Sequence, residues 1–96
     1  PQNVYLTSGT DNLALHEIKP EERSGFHSGM DQPLDHLGFL VESPQAVEAF
    51  AKQMAEAGVT ILKPPRRHRD GSHSFYIADP DGNVIQILYE PHVRLL

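Results

Sequence analysis

The sequence contains no cysteine among its 96 residues. This absence excludes disulfides, thiolate metal ligands and a cysteine nucleophile, and it is compatible with a cytoplasmic protein. No apolar run approaches the ~20 residues that span a bilayer, and no basic-then-apolar signal segment opens the chain. We therefore predict a cytoplasmic protein with no membrane partner.

Positive charge is also scarce, with a formal net charge of −5 and one basic cluster of Arg66, Arg67 and Arg69 around His68. A protein that grips a phosphate backbone presents a broad positive face instead, so we predict no nucleic-acid partner. We predict that these residues lie in a solvated loop. The alternative is that they attract an anionic substrate to the mouth of a pocket. A chain of this length forms one small domain.

Alternation of apolar and polar residues predicts six strands. They cover residues 4–7, 13–17, 35–41, 59–62, 73–78 and 83–89. The segment from Lys63 to Gly71 is predicted as a loop. Asp79-Pro80-Asp81-Gly82 has the chemistry of a type I turn between the last two strands.

One helix is predicted between the third and fourth strands. Ser43 is its N-cap and Pro44 its first residue, and Gly58 stops it. An apolar stripe recurs at helical spacing along it. The stripe consists of Val47, Phe50, Ala51 and Met54.

The resulting order is a hairpin followed by a βαβββ unit, which we classify as α+β. The first hairpin resembles the last one, as an incomplete repeat would. We expect the missing strand and helix of the first copy on the order of 35–40 residues upstream of Tyr5, so the chain is predicted to be truncated at its N-terminus. The predicted parts are a hairpin (1–18), a linker (19–33), a complete module (34–90) and a tail (91–96).

Strand parity divides the module's sheet into two faces. One set is apolar and is predicted to lie under the helix: Leu37, Phe39, Val41, Phe75, Ile77, Ile85, Ile87 and Tyr89. The other set mixes polar and apolar side chains and is predicted to line a small-ligand cleft. It includes His36, Gly38, Leu40, Ser74, Tyr76, Ala78, Val84, Gln86 and Leu88.

The segments "LDHLGFLV" and "SFYIADPDGNVIQIL", in this order of elements, resemble the vicinal-oxygen-chelate superfamily of glyoxalase I, extradiol dioxygenases and bleomycin-resistance proteins. The resemblance covers residues 34–90 as one module and 3–17 as the end of a preceding one. It implies that two modules form a cupped sheet around a divalent metal.

The resemblance places His36 at the first-strand metal-ligand position. Gln86 falls where metal-using relatives have Glu, and Ala14 occupies the equivalent position of the first module and cannot ligate. An amide oxygen binds a divalent cation less well than a carboxylate, because it brings no charge. We predict His36 and Gln86 as metal ligands, with Ni, Zn, Mn or Fe as the ion, or no metal at all.

Further polar residues on the predicted cleft face are candidate substrate contacts. They are Tyr5, Thr7, His16, Ser74 and Tyr76. No catalytic residue is assigned. The remaining histidines, at positions 27, 68, 73 and 92, are predicted at the surface.

Three hypotheses about function follow from this pattern. The first is a metal-dependent enzyme, of lyase, isomerase or oxygenase type, acting on a small molecule with vicinal oxygens. The alternative is a metal-free binding protein of the bleomycin-resistance type, which Ala14 and Gln86 favour. The third is a nonfunctional fragment.

Apolar side chains left uncovered by the missing strand, at Leu6, Leu13 and Leu15, predict a homodimer.

Overall fold

The computed structural model describes residues 3–17, 19–21 and 34–93. It contains six strands and one helix. In chain order these are β1 (Asn3–Leu6), β2 (Leu13–His16), β3 (Leu37–Leu40), α1 (Pro44–Glu56), β4 (Thr60–Arg67), β5 (His73–Ala78) and β6 (Val84–Tyr89). The predicted α+β class is confirmed. No helix in these residues has the length and apolar character that crossing a bilayer requires.

The last four strands form one sheet in the order β3-β6-β5-β4. β3 runs parallel to β6, whereas β5 is antiparallel to both β6 and β4. A parallel pair needs a crossover connection. The chain runs from β3 to β6 through α1, β4 and β5, and α1 is the first element of this crossover. The crossover places α1 against one face and leaves the other face of the sheet uncovered by a helix of the described chain.

The helix begins and ends where local chemistry predicts. The Oγ of Ser43 accepts a hydrogen bond from the Ala46 amide at 3.0 Å, and Pro44 opens the first turn. Gly58 adopts φ +82, a left-handed conformation that glycine tolerates best. Cap and stop together fix the length of the helix.

The core lies between α1 and the centre of the sheet. Val47 and Ala51 of the helix pack against Phe75, Ile77 and Ile87. Phe75 and Val47 are fully buried, and burial of such side chains stabilises the fold by about 1.5–3 kcal/mol each. The predicted division of β5 and β6 into a helix side and an open side is therefore confirmed.

A tight turn joins β5 to β6. The Gly82 amide donates to the Asp79 carbonyl at 3.0 Å, and Gly82 has φ +88. The Asp79 carboxylate accepts hydrogen bonds from the amides of Asp81 and Asn83 and from the Asn83 side chain. These bonds hold the pKa of Asp79 below its ordinary value. The predicted turn is confirmed, and it sets the register of the two strands.

The prediction that Leu37 and Phe39 lie beneath the helix is wrong. Leu37 is 41% exposed and Phe39 is 58% exposed. α1 contacts β4, β5 and β6 but not β3, which forms one edge of the sheet. Parity gives the side to which a residue points, but it does not say how far across the sheet the helix reaches.

The predicted loop from Lys63 to Gly71 is also partly wrong, because β4 continues to Arg67. Pro64 and Pro65 lie within it. Proline has no amide hydrogen to donate to a neighbouring strand, and β4 tolerates it because β4 forms an edge of the sheet, with one side unpaired among the described strands. Two register shifts against β5, one before Lys63 and one before Arg66, accommodate the extra residues. The register places Lys63 opposite Tyr76 and Arg66 opposite Ser74.

The β1–β2 hairpin forms a separate two-stranded sheet. It contacts no other helix or strand that the structure describes. Its paired apolar side chains are all exposed, namely Val4, Leu6, Leu13 and Leu15. The predicted linker (19–33) falls largely outside the described residues, as does half of the predicted tail (91–96), and the proposed division of the chain stays a prediction.

Candidate functional site

His36 and Gln86 lie side by side on the open face of the sheet. Gly38 pairs with Gln86 across the parallel ladder, so His36, which immediately precedes β3, comes next to the Gln86 side chain. The Nε2 of His36 is 3.2 Å from the Oε1 of Gln86. A Cβ on Gly38 would lie 3.3 Å from the Gln86 carbonyl oxygen and 3.6 Å from Oε1. Glycine at this position therefore leaves room for the amide.

Asp35 orients the His36 ring. Its Oδ2 is 2.6 Å from the Nδ1 of His36, and the carboxylate itself is largely exposed. An ionised carboxylate only accepts hydrogen bonds, so the His36 Nδ1 carries the proton of this contact. In the neutral ring the lone pair then lies on Nε2, which is the atom facing Gln86. Carboxylate–histidine pairs of this kind hold the ligating histidines of many metal sites.

Tyr76 completes the cluster from β5. The Gln86 Nε2 donates a hydrogen bond to its hydroxyl oxygen at 2.9 Å. The rings of His36 and Tyr76 meet edge to face with centroids 5.4 Å apart. Burial raises the pKa of Tyr76 above its ordinary value of 10.0, and the negative charge of Asp35 raises it further. The phenol is therefore protonated at neutral pH and retains a proton to donate.

The contact between His36 and Gln86 brings two acceptors together, because the Gln86 Nε2 faces Tyr76 and Oε1 faces the lone pair of His36. Three arrangements remove the conflict. The ring carries a second proton, the amide turns so that its NH₂ faces His36, or a cation lies between the two atoms. A second proton on the ring, a turned amide or a cation would each satisfy both side chains.

The spacing of these two atoms fits adjacent ligands of one ion. Two bonds of about 2.1 Å at a right angle separate the ligand atoms by about 3 Å. The described residues contain no group of three or more His, Asp or Glu side chains that could hold a metal. The pair itself consists of one imidazole nitrogen and one amide oxygen, 3.2 Å apart.

Ser74, predicted as a substrate contact, lies on the same face but is covered. It is 2% exposed, and the Nε2 of His68 lies 2.9 Å from its Oγ. A tight turn holds His68 there, since the His68 amide donates to the Ser72 carbonyl at 2.8 Å. Asp70 accepts two hydrogen bonds from Ser72, and these bonds lower the pKa of its carboxyl group.

The hairpin candidates lie apart from this cluster. Tyr5 and His16 contact each other edge to face, with ring centroids 5.9 Å apart, and the His16 Nδ1 is 2.7 Å from the Asn3 Oδ1. Thr7 belongs to the turn, where its hydroxyl donates to the Asp11 carbonyl and accepts from the Gly9 amide. The structure thus brings His36, Gln86 and Tyr76 together, whereas Tyr5, Thr7 and His16 stay predictions.

Two of the histidines predicted at the surface are partly buried and paired. His68 covers Ser74, and the Nε2 of His73 is 2.6 Å from the Glu48 carboxylate, which ties β5 to α1. His92 is exposed as predicted, and His27 lies outside the described residues. The contact between His73 and Glu48 joins residues 25 positions apart, so the sequence near the histidine does not predict it.

Two polar residues of the site are not among the ligands and substrate contacts predicted from the sequence. Asp35 directly precedes His36, and that adjacency is a signal in the sequence. Lys63, whose Nζ is 5.3 Å from the centre of the Tyr76 ring, falls in the segment that the sequence predicts as a loop. Without a strand register, nothing in the sequence places Lys63 opposite Tyr76.

A family model described as the Glyoxalase/Bleomycin resistance protein/Dioxygenase superfamily matches residues 2–87. The match covers most of the chain and includes every residue of the cluster. The chain belongs to this superfamily, and the vicinal-oxygen-chelate resemblance inferred from the sequence is confirmed.

Two curated relatives are both described as metallothiol transferase FosB. The protein of Bacillus licheniformis is 28% identical over 75 residues, which are 78% of this chain and 46% of that protein. The protein of Shouchella clausii is 30% identical over 87 residues, which are 90% of this chain and 56% of that protein. The chain thus spans about half the length of these relatives.

Among solved structures, a lactoylglutathione lyase from Agrobacterium tumefaciens matches with a TM-score of 0.52 at 22% identity. The match covers 92% of this chain and 68% of that one. At this identity the likeness concerns the fold alone. This match therefore supports the fold, and the family rests on the family model.

Proposed function

We propose that this chain is part of a metal-dependent enzyme acting on a small molecule with vicinal oxygens. In this proposal His36 and Gln86 are two of the metal ligands. The observation that carries it is the 3.2 Å spacing of the His36 Nε2 and the Gln86 Oε1. With a neutral ring protonated on Nδ1 both atoms are acceptors, and a cation between them would satisfy both. The two metallothiol transferases among the relatives support the same class of activity.

The other residues of the cluster have definite roles in this proposal. Asp35 holds the proton on the Nδ1 of His36 and keeps Nε2 free to ligate. Tyr76, held by the Gln86 amide, presents a neutral hydroxyl that donates to a substrate oxygen. A divalent ion bound there supplies Lewis-acid chemistry to the substrate oxygens. The remaining ligands come from a second copy of the chain, as the predicted homodimer allows.

The experiment is a metal titration of the protein purified without chelator, using Ni²⁺, Zn²⁺, Mn²⁺ and Fe²⁺ in separate calorimetric runs. We expect micromolar or tighter binding of at least one ion, and a loss of about tenfold or more in His36→Ala. His92→Ala is the matched control, because His92 is an exposed histidine away from the cluster. Binding that is equal in both variants would place the metal elsewhere and refute the proposed site.

The second candidate function is metal-free binding of a small ligand. It is favoured by the Gln86 amide, which satisfies both neighbours without an ion once it is turned to donate to His36 and accept from the Tyr76 hydroxyl. If no ion binds at micromolar concentration and the purified protein contains none, this second function replaces the first.

A further inference from the structure

Lys63 lies at the end of a row of residues that crosses all four strands of the sheet. Gly38 pairs with Gln86, Gln86 with Tyr76, and Tyr76 with Lys63. Directly paired residues share a face of the sheet, so the row runs along the open face from β3 to β4. His36 lies beside the first pair, which places the two donor atoms at one end of the row and a positive charge at the other.

A bulge in β4 puts Lys63 on this face. Ile61 pairs with Ile77 on the helix side, and uninterrupted pairing would place Leu62 opposite Tyr76 and Lys63 opposite the buried Phe75. The register shift before Lys63 moves the lysine opposite Tyr76 instead. Bulges re-aim side chains in this way, frequently beside functional sites.

The charge of Lys63 is available to a ligand. Its Nζ lies 5.3 Å from the centre of the Tyr76 ring, and Lys63 forms no salt bridge with a carboxylate of the described residues. The second register shift puts Arg66 opposite Ser74 on the same face. This end of the row is therefore positive in a chain whose net charge is −5.

We propose that Lys63 determines substrate specificity by binding an anionic group of the substrate, while the vicinal oxygens lie at the His36–Gln86 end. This proposal rests on the proposed function and adds to it the class of substrate: a small acid whose anionic group lies beyond its vicinal oxygens. Neighbouring strands are about 4.8 Å apart, so two strand spacings, about 10 Å of backbone, separate Gln86 from Lys63. Because the lysine side chain lies over the Tyr76 ring, its ammonium group is closer to Gln86 than the backbone of Lys63 is.

The test uses 2-hydroxy diacids of four to six carbons, each compared with the matching molecule in which the distal carboxylate is an amide. Both members of a pair keep the same vicinal oxygens and differ in the distal charge. Dissociation constants are measured by calorimetry on the metal-loaded protein at low and high salt. We expect the best diacid to bind about fivefold more tightly than its amide, with a smaller preference at high salt.

The decisive variants are Lys63→Met and Arg67→Met. Both remove one positive charge from β4, but Arg67 pairs with His73, whose side chain contacts the helix residue Glu48. We expect the preference for the diacid to disappear in Lys63→Met and to remain in Arg67→Met. A preference that survives in Lys63→Met overturns the assignment of Lys63.

A third variant, His36→Ala, separates this proposal from the proposed function. Binding of acid and amide that is unaffected by His36→Ala refutes the proposed site but leaves the charge preference measurable. If neither acid nor amide binds the unmodified protein, the assignment of Lys63 is overturned, whereas the proposed function is decided by the metal titration. Circular dichroism of each variant confirms that the fold is retained.

Discussion

The imidazole of His68 lies over Ser74, with its Nε2 2.9 Å from the serine Oγ. Ser74 is on the open face of the sheet by strand parity, yet it is almost completely buried. The turn that follows β4 thus closes part of the face that parity assigns to a ligand. Tyr76, two residues further along β5, is only half-buried and lies beside Gln86 and His36.

The bond between His68 and Ser74 is expected to stabilise the turn after β4. Ser74→Ala leaves the His68 Nε2 without its partner and should lower the free energy of unfolding by about 1 kcal/mol. The measurement is urea denaturation of the two single variants and of the double variant His68→Ala/Ser74→Ala. A coupling energy near zero in this cycle would show that the contact contributes no stability.

Two phenylalanines on the same side of the sheet should differ sharply in their contribution to stability. Phe75→Ala removes a fully buried side chain from the core and should lower the free energy of unfolding by about 3–5 kcal/mol. Phe39→Ala, on the edge strand and 58% exposed, should cost about 0.5 kcal/mol. Denaturant unfolding measures both, and a large loss in Phe39→Ala would show that another chain covers β3.

Gln86→Glu should strengthen metal binding, because a carboxylate offsets the charge of a divalent ion and an amide does not. We expect an affinity about tenfold higher or more by calorimetric titration. Gln53→Glu is the matched control. Gln53 is an exposed residue of α1, and its substitution introduces the same charge away from the cluster. An equal gain in both variants would reflect net charge alone, and no gain would contradict the ligand role of position 86.

Stability should fall in acid partly through the turn between β5 and β6. The hydrogen bonds to Asp79 hold its pKa below the ordinary value of 3.8, the Asn83 side chain being the largest cause. A carboxyl group with a lowered pKa contributes stability that is fully present above the unfolded value. That contribution is lost as the pH falls through the folded value.

The measurement for Asp79 is the unfolding free energy between pH 2 and pH 6, compared in the unmodified protein and in Asp79→Asn. We expect the acid-dependent loss to be smaller in the variant, which has no carboxyl group to titrate. Asp81→Asn is the control, because the described hydrogen bonds of this turn use the Asp79 carboxylate. Identical pH profiles for Asp79→Asn and the unmodified protein would refute the prediction.

Local patterns in the sequence were sufficient for much of the fold. The Ser43 cap, the left-handed Gly58 and the Asp79 turn act within a few residues of the chain, so residue type determines them. Alternation along β5 and β6 correctly separates Phe75 and Ile77 from Tyr76. The family resemblance rests on these same segments, and the family model confirms it.

Other features depend on pairing between distant segments. The position of Lys63 opposite Tyr76 follows from bulges that alternation cannot reveal, and the two prolines after it favour a loop in any local interpretation. The exposure of Phe39 depends on how far α1 extends over the sheet, and the burial of Ser74 depends on the turn that carries His68.

The sequence by itself determined most of the elements, the faces of the central strands and the family, because periodicity, capping and turn chemistry act over a few residues. Only the tertiary structure decided which side chains meet: the His36 Nε2 with the Gln86 Oε1, the Gln86 amide with the Tyr76 hydroxyl, and Lys63 with the Tyr76 ring. The physical reason is that strand register and the coverage of a face are set by contacts between segments far apart in the chain. A shift of one residue moves every later side chain of a strand to the opposite face.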